Sequence, residues 1–158
     1  MRGQYRLEGL AAPMLIRPFS QADMPTAREL LRQLGYEVGI EELAARLARL
    51  LGAADHHITI AEHDGRVAGL LHAFARPALE KPYEAVVQAL VVDETWRGQG
   101  IGQGLMREAE AWAAPRGLAS VSLHTRSAQA FYAGLGYRKV ATADFMRKPL
   151  RLEEGSWP

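Results

Sequence analysis

Four glycines stand at alternate positions between two apolar segments of residues 84–114: Gly98, Gly100, Gly102 and Gly104. The segment before them, residues 86–92, has the apolar character of a strand, and the segment after them has apolar residues at helical spacing. Glycines at the start of a helix let a ligand approach unpaired backbone N–H groups and the positive end of the helix dipole. This strand, loop and helix therefore favour binding of a diphosphate.

Two common phosphate loops do not match these glycines. The dinucleotide fingerprint needs glycines at positions i, i+2 and i+5, but the third place is Gln103 when counted from Gly98 and Leu105 when counted from Gly100. The nucleoside-triphosphate loop ends in Gly-Lys-Ser/Thr, and the sequence has no lysine between Lys81 and Lys139. Both alternatives are excluded by residue type.

Two motifs in the chain resemble those of the GNAT superfamily of N-acetyltransferases. The family's acyl-CoA loop has the pattern Arg/Gln-x-x-Gly-x-Gly/Ala after a strand of the form Leu-x-Val. Here the loop pattern is filled by Arg97, Gly100 and Gly102, and the strand pattern by Leu90 and Val92. The second motif, Ala-x-x-Phe/Leu-Tyr-x-x-x-Gly-Phe/Tyr, is filled by Ala128, Phe131, Tyr132, Gly136 and Tyr137. The resemblance covers roughly residues 14–150.

The resemblance implies that acetyl-CoA is the co-substrate and assigns residues to it. The implied cofactor-binding residues are Leu90, Val91, Val92, Arg97, Gly98, Gln99, Gly100, Ile101, Gly102, Gln103 and Phe131. It also implies that Tyr132 protonates the departing thiolate, whereas a tyrosine on a short amphipathic helix is otherwise a core residue. Thr125 replaces an asparagine that many members have three residues before the motif alanine.

The sequence leaves the general base open. Some family members have a glutamate on the strand, four residues before the Leu90 position, where this chain has Val86. We retain as candidates two residues on the strands that the resemblance places beside the cofactor, Glu84 and His124, and also His72, Glu37 or an ordered water. The loop between the first two helices forms a wall of the acceptor site in the family, which implies that Tyr36 and Glu37 contact the substrate.

The amino-acid composition limits the classes of function and of partner that remain. The 158 residues include no cysteine, which excludes a thiol nucleophile and favours direct transfer, and the net charge is +1 with scattered basic residues. We therefore expect a single domain over residues 14–150 between tails 1–13 and 151–158, with no nucleic-acid or membrane partner. No apolar run approaches 18 residues, and we expect a cytoplasmic protein. Adjacent histidines on a strand point to opposite faces, so His56 and His57 predict no metal site.

The expected fold is α+β, an α/β/α sandwich of the GNAT type. It has a mixed, mostly antiparallel sheet of about six to seven strands, with one parallel, splayed pair, and about four helices. We expect a hairpin at Asp64-Gly65, because this pair accepts the positive φ angles of a tight turn. Residues 84–92 and 118–124 should be parallel, because a helix connects them. A short helix capped by Ser127 should follow, and then final strands at residues 137–140 and 142–148.

These observations give one leading hypothesis and two rivals. The first is an acetyl-CoA-dependent N-acetyltransferase that moves an acetyl group to a primary amine of a small molecule, peptide or protein within a ternary complex. The second is a non-catalytic acyl-CoA-binding module, which the missing strand glutamate motivates. The third is a peptide or nucleic-acid interaction domain, for which the even charge balance offers no support. Homodimerisation is left open.

Overall fold

The computed structural model of the protein describes the backbone of residues 5–7 and all of residues 14–148 and 150. The chain divides into two compact units, residues 1–124 and 125–158, which are described separately. Apart from residues 5–7, the predicted tails 1–13 and 151–158 lie outside the described residues. The first unit contains strands β1 (Tyr5–Leu7), β2 (Met14–Pro18), β3 (His56–His63), β4 (Arg66–Arg76), β5 (Glu84–Val92) and β6 (Val121–Leu123), and helices α1 (Met24–Gln33), α2 (Ile40–Leu50) and α3 (Ile101–Ala113).

The six strands form one sheet in chain order, from β1 to β6. Strands β1 to β5 are antiparallel neighbours, and β5 and β6 are parallel, as predicted from the helical crossover through α3. The predicted hairpin joins β3 and β4, with φ angles of 50° at Asp64 and 71° at Gly65. The mixed sheet and the helices confirm the predicted fold class.

Helices cover both faces of the sheet. On one face, α1 and α2 pack on alternate strand residues in a cluster that includes Leu30, Leu47, Ile60, Leu70 and Val91. Each fully buried aliphatic side chain of this kind stabilises the fold by about 1.5–3 kcal/mol. Gly69, next to Leu70, faces α3, since successive strand residues point to opposite faces. Helix α3 therefore packs on the other face.

The predictions for two segments, residues 137–148 and residues 5–7, differ from the structure. Residues 137–148 form no strand, and all of them except the partly buried Tyr137 are exposed, although their sequence has strand character. Alternation of apolar residues gives a strand propensity, but a strand also needs a hydrogen-bonded neighbour, which the sequence pattern does not specify. In contrast, residues 5–7, which were expected to lie in a tail, pair with β2. Three residues are too few to show a period in the sequence.

The second unit contains helix α4 (Gln129–Gly134). Its predicted cap, Ser127, is wrong: the Thr125 hydroxyl oxygen accepts the hydrogen bond from the backbone N–H of Ala128, at 3.0 Å. Gly136 ends the helix with a φ angle of 90°, as predicted. The N–H of Tyr137 donates to the carbonyl oxygen of Tyr132, at 3.0 Å, so the motif segment closes on itself.

Candidate active site

Strand β5 loses its β6 neighbour along half of its length. The parallel ladder joins only three pairs, Ala85 with Val121, Val86 with Ser122 and Val87 with Leu123. Within the part of the chain that the structure describes, residues 88–92 have no strand on that side. Gln88 is exposed, and Ala89 and Leu90 are half-buried. The edge of β5 at residues 88–92, called the gap below, therefore has no strand paired to it, and the predicted splay of the two strands stays a prediction.

A β-bulge marks the point at which the two strands part. The register with β4 shifts from His72 opposite Ala89 to Ala73 opposite Val87, so Gln88 is an extra residue on β5. A bulge bends its strand and increases the local twist, and bulges recur next to active sites. The bulge at Gln88 directly follows the last β5 residue that pairs with β6, Val87.

The glycine loop supplies backbone donors at the end of β5. Gly98 and Gly100 have φ angles of 77° and 81°, which side chains rarely allow, and a Cβ added at either position would meet no atom within 4 Å. In α3, the N–H of Gly104 donates to the carbonyl oxygen of Gly100, at 3.0 Å. The N–H groups of residues 101–103 before it have no acceptor one turn back in the helix. This open, positively polarised helix start fits a diphosphate.

Side chains outside the glycine motif hold the loop in place. Asp93 accepts hydrogen bonds from the backbone N–H and the hydroxyl of Thr95, and the hydroxyl contact contributes most to keeping the pKa of Asp93 below its usual value. Gln33 of α1 donates to Asp93 at 3.1 Å and accepts from the N–H of Glu94 at 3.0 Å. Arg97 donates from Nε to the carbonyl oxygen of Val92, at 3.2 Å. The loop is therefore fixed both to α1 and to β5.

An aromatic contact adds a further support beneath the loop. The ring of Trp96 packs edge to face against the buried His63 of β3, with centroids 4.6 Å apart. His63 Nδ1 is buried and has no hydrogen-bond partner among the described residues. We infer that the His63 imidazole supports the loop by packing against Trp96.

Gly69 on β4 allows α3 to approach the sheet. A Cβ at this position would lie 3.0 Å from Leu105 Cδ1, 3.1 Å from the Val91 carbonyl oxygen and 3.3 Å from Ile101 Cγ2. Ile101 is the first residue of α3, so this contact sets the height of the helix start above β5. Sequence reasoning missed Gly69, although a glycine inside an apolar strand is a known signal of close backbone approach.

Glu84 lies at the closed end of the parallel pair. It is six residues before Leu90, about 20 Å away at ~3.3 Å per strand residue. Burial alone would raise the pKa of Glu84, but hydrogen bonds from Arg76 and Lys81 outweigh it and lower the pKa below its ordinary value. A distant, ion-paired carboxylate does not favour the predicted role as general base.

Two histidines lie nearer to the gap. His124 directly follows the last paired residue of β6 and is exposed, so the register places it opposite Gln88, where the strands part. His72 lies opposite Ala89, and its Nε2 is 3.0 Å from His56 Nδ1. Burial, together with the charge that His56 can carry, lowers the pKa of His72 to about 4, so it is neutral at neutral pH. Of the two, His124 has the more accessible imidazole.

Tyr36 and Glu37 lie on the loop between α1 and α2. They border a shallow pocket of about 130 Å³ together with Arg28, Glu29 and Arg32, on the exposed side of α1. The Tyr36 side chain is 64% exposed. Arg28 donates to the carbonyl oxygen of Val38 at 2.8 Å, which fixes the loop. Contact of Tyr36 and Glu37 with the acceptor stays a prediction.

The second unit presents Tyr132 in an aromatic group. The Tyr132 ring packs edge to face with Phe131, at a centroid distance of 4.9 Å, and with Tyr137, at 6.0 Å. Burial raises the pKa of Tyr132, so its hydroxyl keeps its proton at neutral pH. Phe131 is 39% exposed. The contact of Phe131 with the cofactor and the acid role of Tyr132 stay predictions.

His56 and His57 point to opposite faces of β3, as predicted. His56 contacts His72, and His57 Nε2 lies 2.9 Å from Glu108 Oε1. Among the described residues, no three His, Asp or Glu side chains come together in a way that could hold a metal ion. No helix of those residues is long and apolar enough to cross a membrane.

Comparison with known proteins identifies the family. The acetyltransferase (GNAT) family model matches residues 22–137, most of the chain, and the protein therefore belongs to that family. Mouse N-alpha-acetyltransferase 80 is 39% identical over 67 residues, which are 42% of this chain and 21% of that protein. The chain thus spans about a fifth of this curated relative.

Solved structures share the fold. The aminoglycoside N-acetyltransferase AAC(6′)-Iy, solved in complex with CoA, has a TM-score of 0.79 at 21% identity, over 90% of this chain and 99% of that one. Glucosamine-6-phosphate N-acetyltransferase from Arabidopsis thaliana has a TM-score of 0.74 at 22% identity, over 87% and 99%. A putative acetyltransferase from Agrobacterium tumefaciens has a TM-score of 0.75 at 25% identity, over 84% and 99%.

Proposed function

We propose that the protein is an acetyl-CoA-dependent N-acetyltransferase that transfers the acetyl group directly to a primary amine. The observation that carries this proposal is the adjacency of two features: the unpaired edge of β5 at residues 88–92 and the glycine loop that starts α3. An acyl-CoA has one part for each feature. Its amide-containing arm can pair with an open strand edge, and its diphosphate can bind a helix start.

In this proposal the backbone of β5 orients the acyl arm. Leu90 and Val92 are two residues apart, so their backbone groups point toward the same side of the strand. The N–H of Leu90 would donate to the acetyl carbonyl, and Val92 would pair with an amide of the arm. Hydrogen bonds to the carbonyl oxygen strengthen as negative charge develops on it, which lowers the barrier to attack.

The transfer requires two proton movements. The amine nitrogen attacks the thioester carbon, the carbon–sulfur bond breaks, the nitrogen loses a proton, and the thiolate gains one. We assign the second transfer to the Tyr132 hydroxyl, in line with the family motif; burial raises the pKa of Tyr132, so the hydroxyl carries the proton that this step needs. The sequence has no cysteine, which supports direct attack by the amine over an acyl-cysteine intermediate.

The proton of the amine has fewer candidate acceptors than the sequence suggested. We propose that His124 at the mouth of the gap, or a water there, takes it. Glu84 is less suitable because Arg76 and Lys81 already hold its carboxylate at the closed end. No family glutamate is available, since Val86 occupies its position and is buried.

The acceptor class is a primary amine of a small molecule or peptide. The names of three similar proteins describe transfer to nitrogen, on an α-amine, an aminoglycoside and glucosamine 6-phosphate. We propose that Tyr36 and Glu37 contribute to acceptor selection. We further propose that the protein acts without a metal, a nucleic acid or a membrane partner, in the cytoplasm; a homodimer is compatible with the proposal.

The proposal is tested by measuring release of free CoA thiol from acetyl-CoA in the presence of polyamines, amino acids, aminoglycosides, amino sugars and N-terminal peptides. We expect turnover with at least one amine and loss of that turnover in Gly100→Val, whose branched side chain would occupy the diphosphate position. Gly117→Val is the matched control, because Gly117 also has a positive φ, 70°, and open space but lies beyond the other end of α3. Tight binding of acetyl-CoA without turnover of any amine would favour the non-catalytic binding module.

A further inference from the structure

The Glu84 carboxylate joins three consecutive parts of the sheet at the closed end of the gap. One oxygen, Oε1, accepts a hydrogen bond from Arg76 of β4 and lies 3.2 Å from Lys81 Nζ in the β4–β5 loop. The other oxygen, Oε2, accepts from the Ser120 hydroxyl, just before β6, at 3.2 Å. Glu84 itself belongs to β5 and is only 9% exposed. One side chain therefore connects β4, β5 and the start of β6.

Strand β6 has few other attachments to β5. The parallel ladder contains three residue pairs, and two backbone bonds extend it toward the closed end: Ala85 N–H to the Ser120 oxygen, at 2.9 Å, and Ala119 N–H to the Tyr83 oxygen, at 2.8 Å. A short edge strand of this kind frays easily. The contacts of Glu84 lie at the closed end of this ladder, opposite the end at which the pairing of β5 with β6 stops, so they oppose fraying of β6 from the closed end.

We propose that Glu84 is a positioning residue whose contacts with Arg76, Lys81 and Ser120 fix β6 against β5 and thereby set the width of the acyl-CoA gap. This inference rests on the proposed binding of acetyl-CoA beside residues 88–92. Glu84 does not contact the reacting atoms, because it lies about 20 Å from Leu90 along the strand. Its loss moves the far wall of the gap while the glycine loop, which is attached to α1 and to the far end of β5, stays in place.

The proposal predicts different effects on two ligands. Acetyl-CoA uses both the glycine loop and the gap, whereas adenosine 5′-diphosphate 3′-phosphate, the part of CoA without the arm, uses only the loop. In Glu84→Gln we expect calorimetric titration to show acetyl-CoA affinity reduced about fivefold or more, within the usual range of coupling between sites. The affinity for the arm-less nucleotide should be unchanged. Amide hydrogen exchange of residues 119–124 should become faster, with no change in β2 or β3.

Glu80→Gln is the matched control. It removes the same charge from the same region of the chain, but Glu80 is exposed in the β4–β5 loop, so both affinities and the exchange rates should match the wild type. Ser120→Ala removes a single contact and should produce the same pattern as Glu84→Gln with smaller changes. It also provides the test if Glu84→Gln fails to fold.

Three results would overturn the proposal. Equal loss of affinity for both ligands would indicate general destabilisation, and unchanged affinities with lost turnover would indicate that Glu84 is the base. Unchanged hydrogen exchange of residues 119–124 in both variants would show that the contacts do not hold β6. If the wild-type protein does not bind acetyl-CoA, the proposed function fails, whereas the exchange measurement still decides whether Glu84 fixes β6.

Discussion

Replacement of Gly69 by alanine tests how α3 is placed above the sheet. The added Cβ would lie 3.0–3.3 Å from two side-chain carbons of α3 and from the Val91 carbonyl oxygen. Contacts this short require a displacement of a few tenths of an ångström. Leu105 and Ile101 are buried, at 0% and 1% exposure, and Val91 is part of the sheet, so none of the three can move away freely.

The expected cost follows from overpacking of a well-filled core, about 1–3 kcal/mol. For a chain of this size, 1 kcal/mol lowers the melting temperature by about 2–4 °C, so Gly69→Ala should melt roughly 2–12 °C below the wild type. One of the three contacts, at 3.3 Å, is with Ile101, the first residue of α3. We therefore also expect weaker binding of acetyl-CoA at temperatures where the variant is fully folded.

Calorimetry gives both quantities, from thermal unfolding and from acetyl-CoA titration. Gly134→Ala is the control, because Gly134 lies in helix α4 and an added Cβ there would meet no atom within 4 Å. An alanine in a helix is favoured over glycine by up to about 1 kcal/mol, so this variant should be neutral or more stable. A melting temperature for Gly69→Ala equal to or above that of the wild type would refute the close approach of α3 at this position.

Three further predictions concern binding of acetyl-CoA, the role of Tyr132 as the acid, and the pH dependence of stability. Gly100→Val should lose acetyl-CoA binding in calorimetric titration while Gly117→Val keeps it; equal affinities would contradict the assignment of the loop. Tyr132→Phe should lower turnover about 10²-fold with little change in acetyl-CoA affinity, and Tyr83→Phe should not; a lower melting temperature with normal turnover would instead show a core role. The lowered pKa of His72 means that the unfolded chain binds a proton there before the folded protein does, so stability should fall as the pH falls from about 6.5 to about 4. After discounting for the partial exposure of His72, the free energy of unfolding should fall by about 1–3 kcal/mol over this range. His72→Gln should abolish that part of the pH dependence in denaturant titrations. An unchanged pH dependence in this variant would show that His72 is not responsible.

The strand, loop and helix around Gly100 could be predicted because local signals agree there. Apolar residues at strand and helix spacing flank glycines whose positive φ angles the structure shows at Gly98 and Gly100. The hairpin at Asp64-Gly65 was predictable for the same reason. The parallel pairing of β5 with β6 followed from the helical connection, which leaves few other topologies.

Other features depend on partners that are distant in the sequence. The closed-end contacts of Glu84 combine β4, the following loop and residue 120, so no local pattern favours them over a catalytic role. Support of the loop by Gln33 and by the His63–Trp96 contact is equally non-local, since Gln33 and Asp93 are 60 positions apart in the sequence. Residues 137–148 show the opposite case. Their local sequence predicts strands, but no described strand of the sheet pairs with them.

Mass spectrometry of a quenched reaction tests whether an acetyl group passes directly from acetyl-CoA to an amine. With an amine that supports thiol release, we expect one acetyl group on the amine nitrogen for each CoA released, and an unmodified protein at all times. Thiol release without an acetylated amine, or an acetylated protein that forms and decays during turnover, would contradict it.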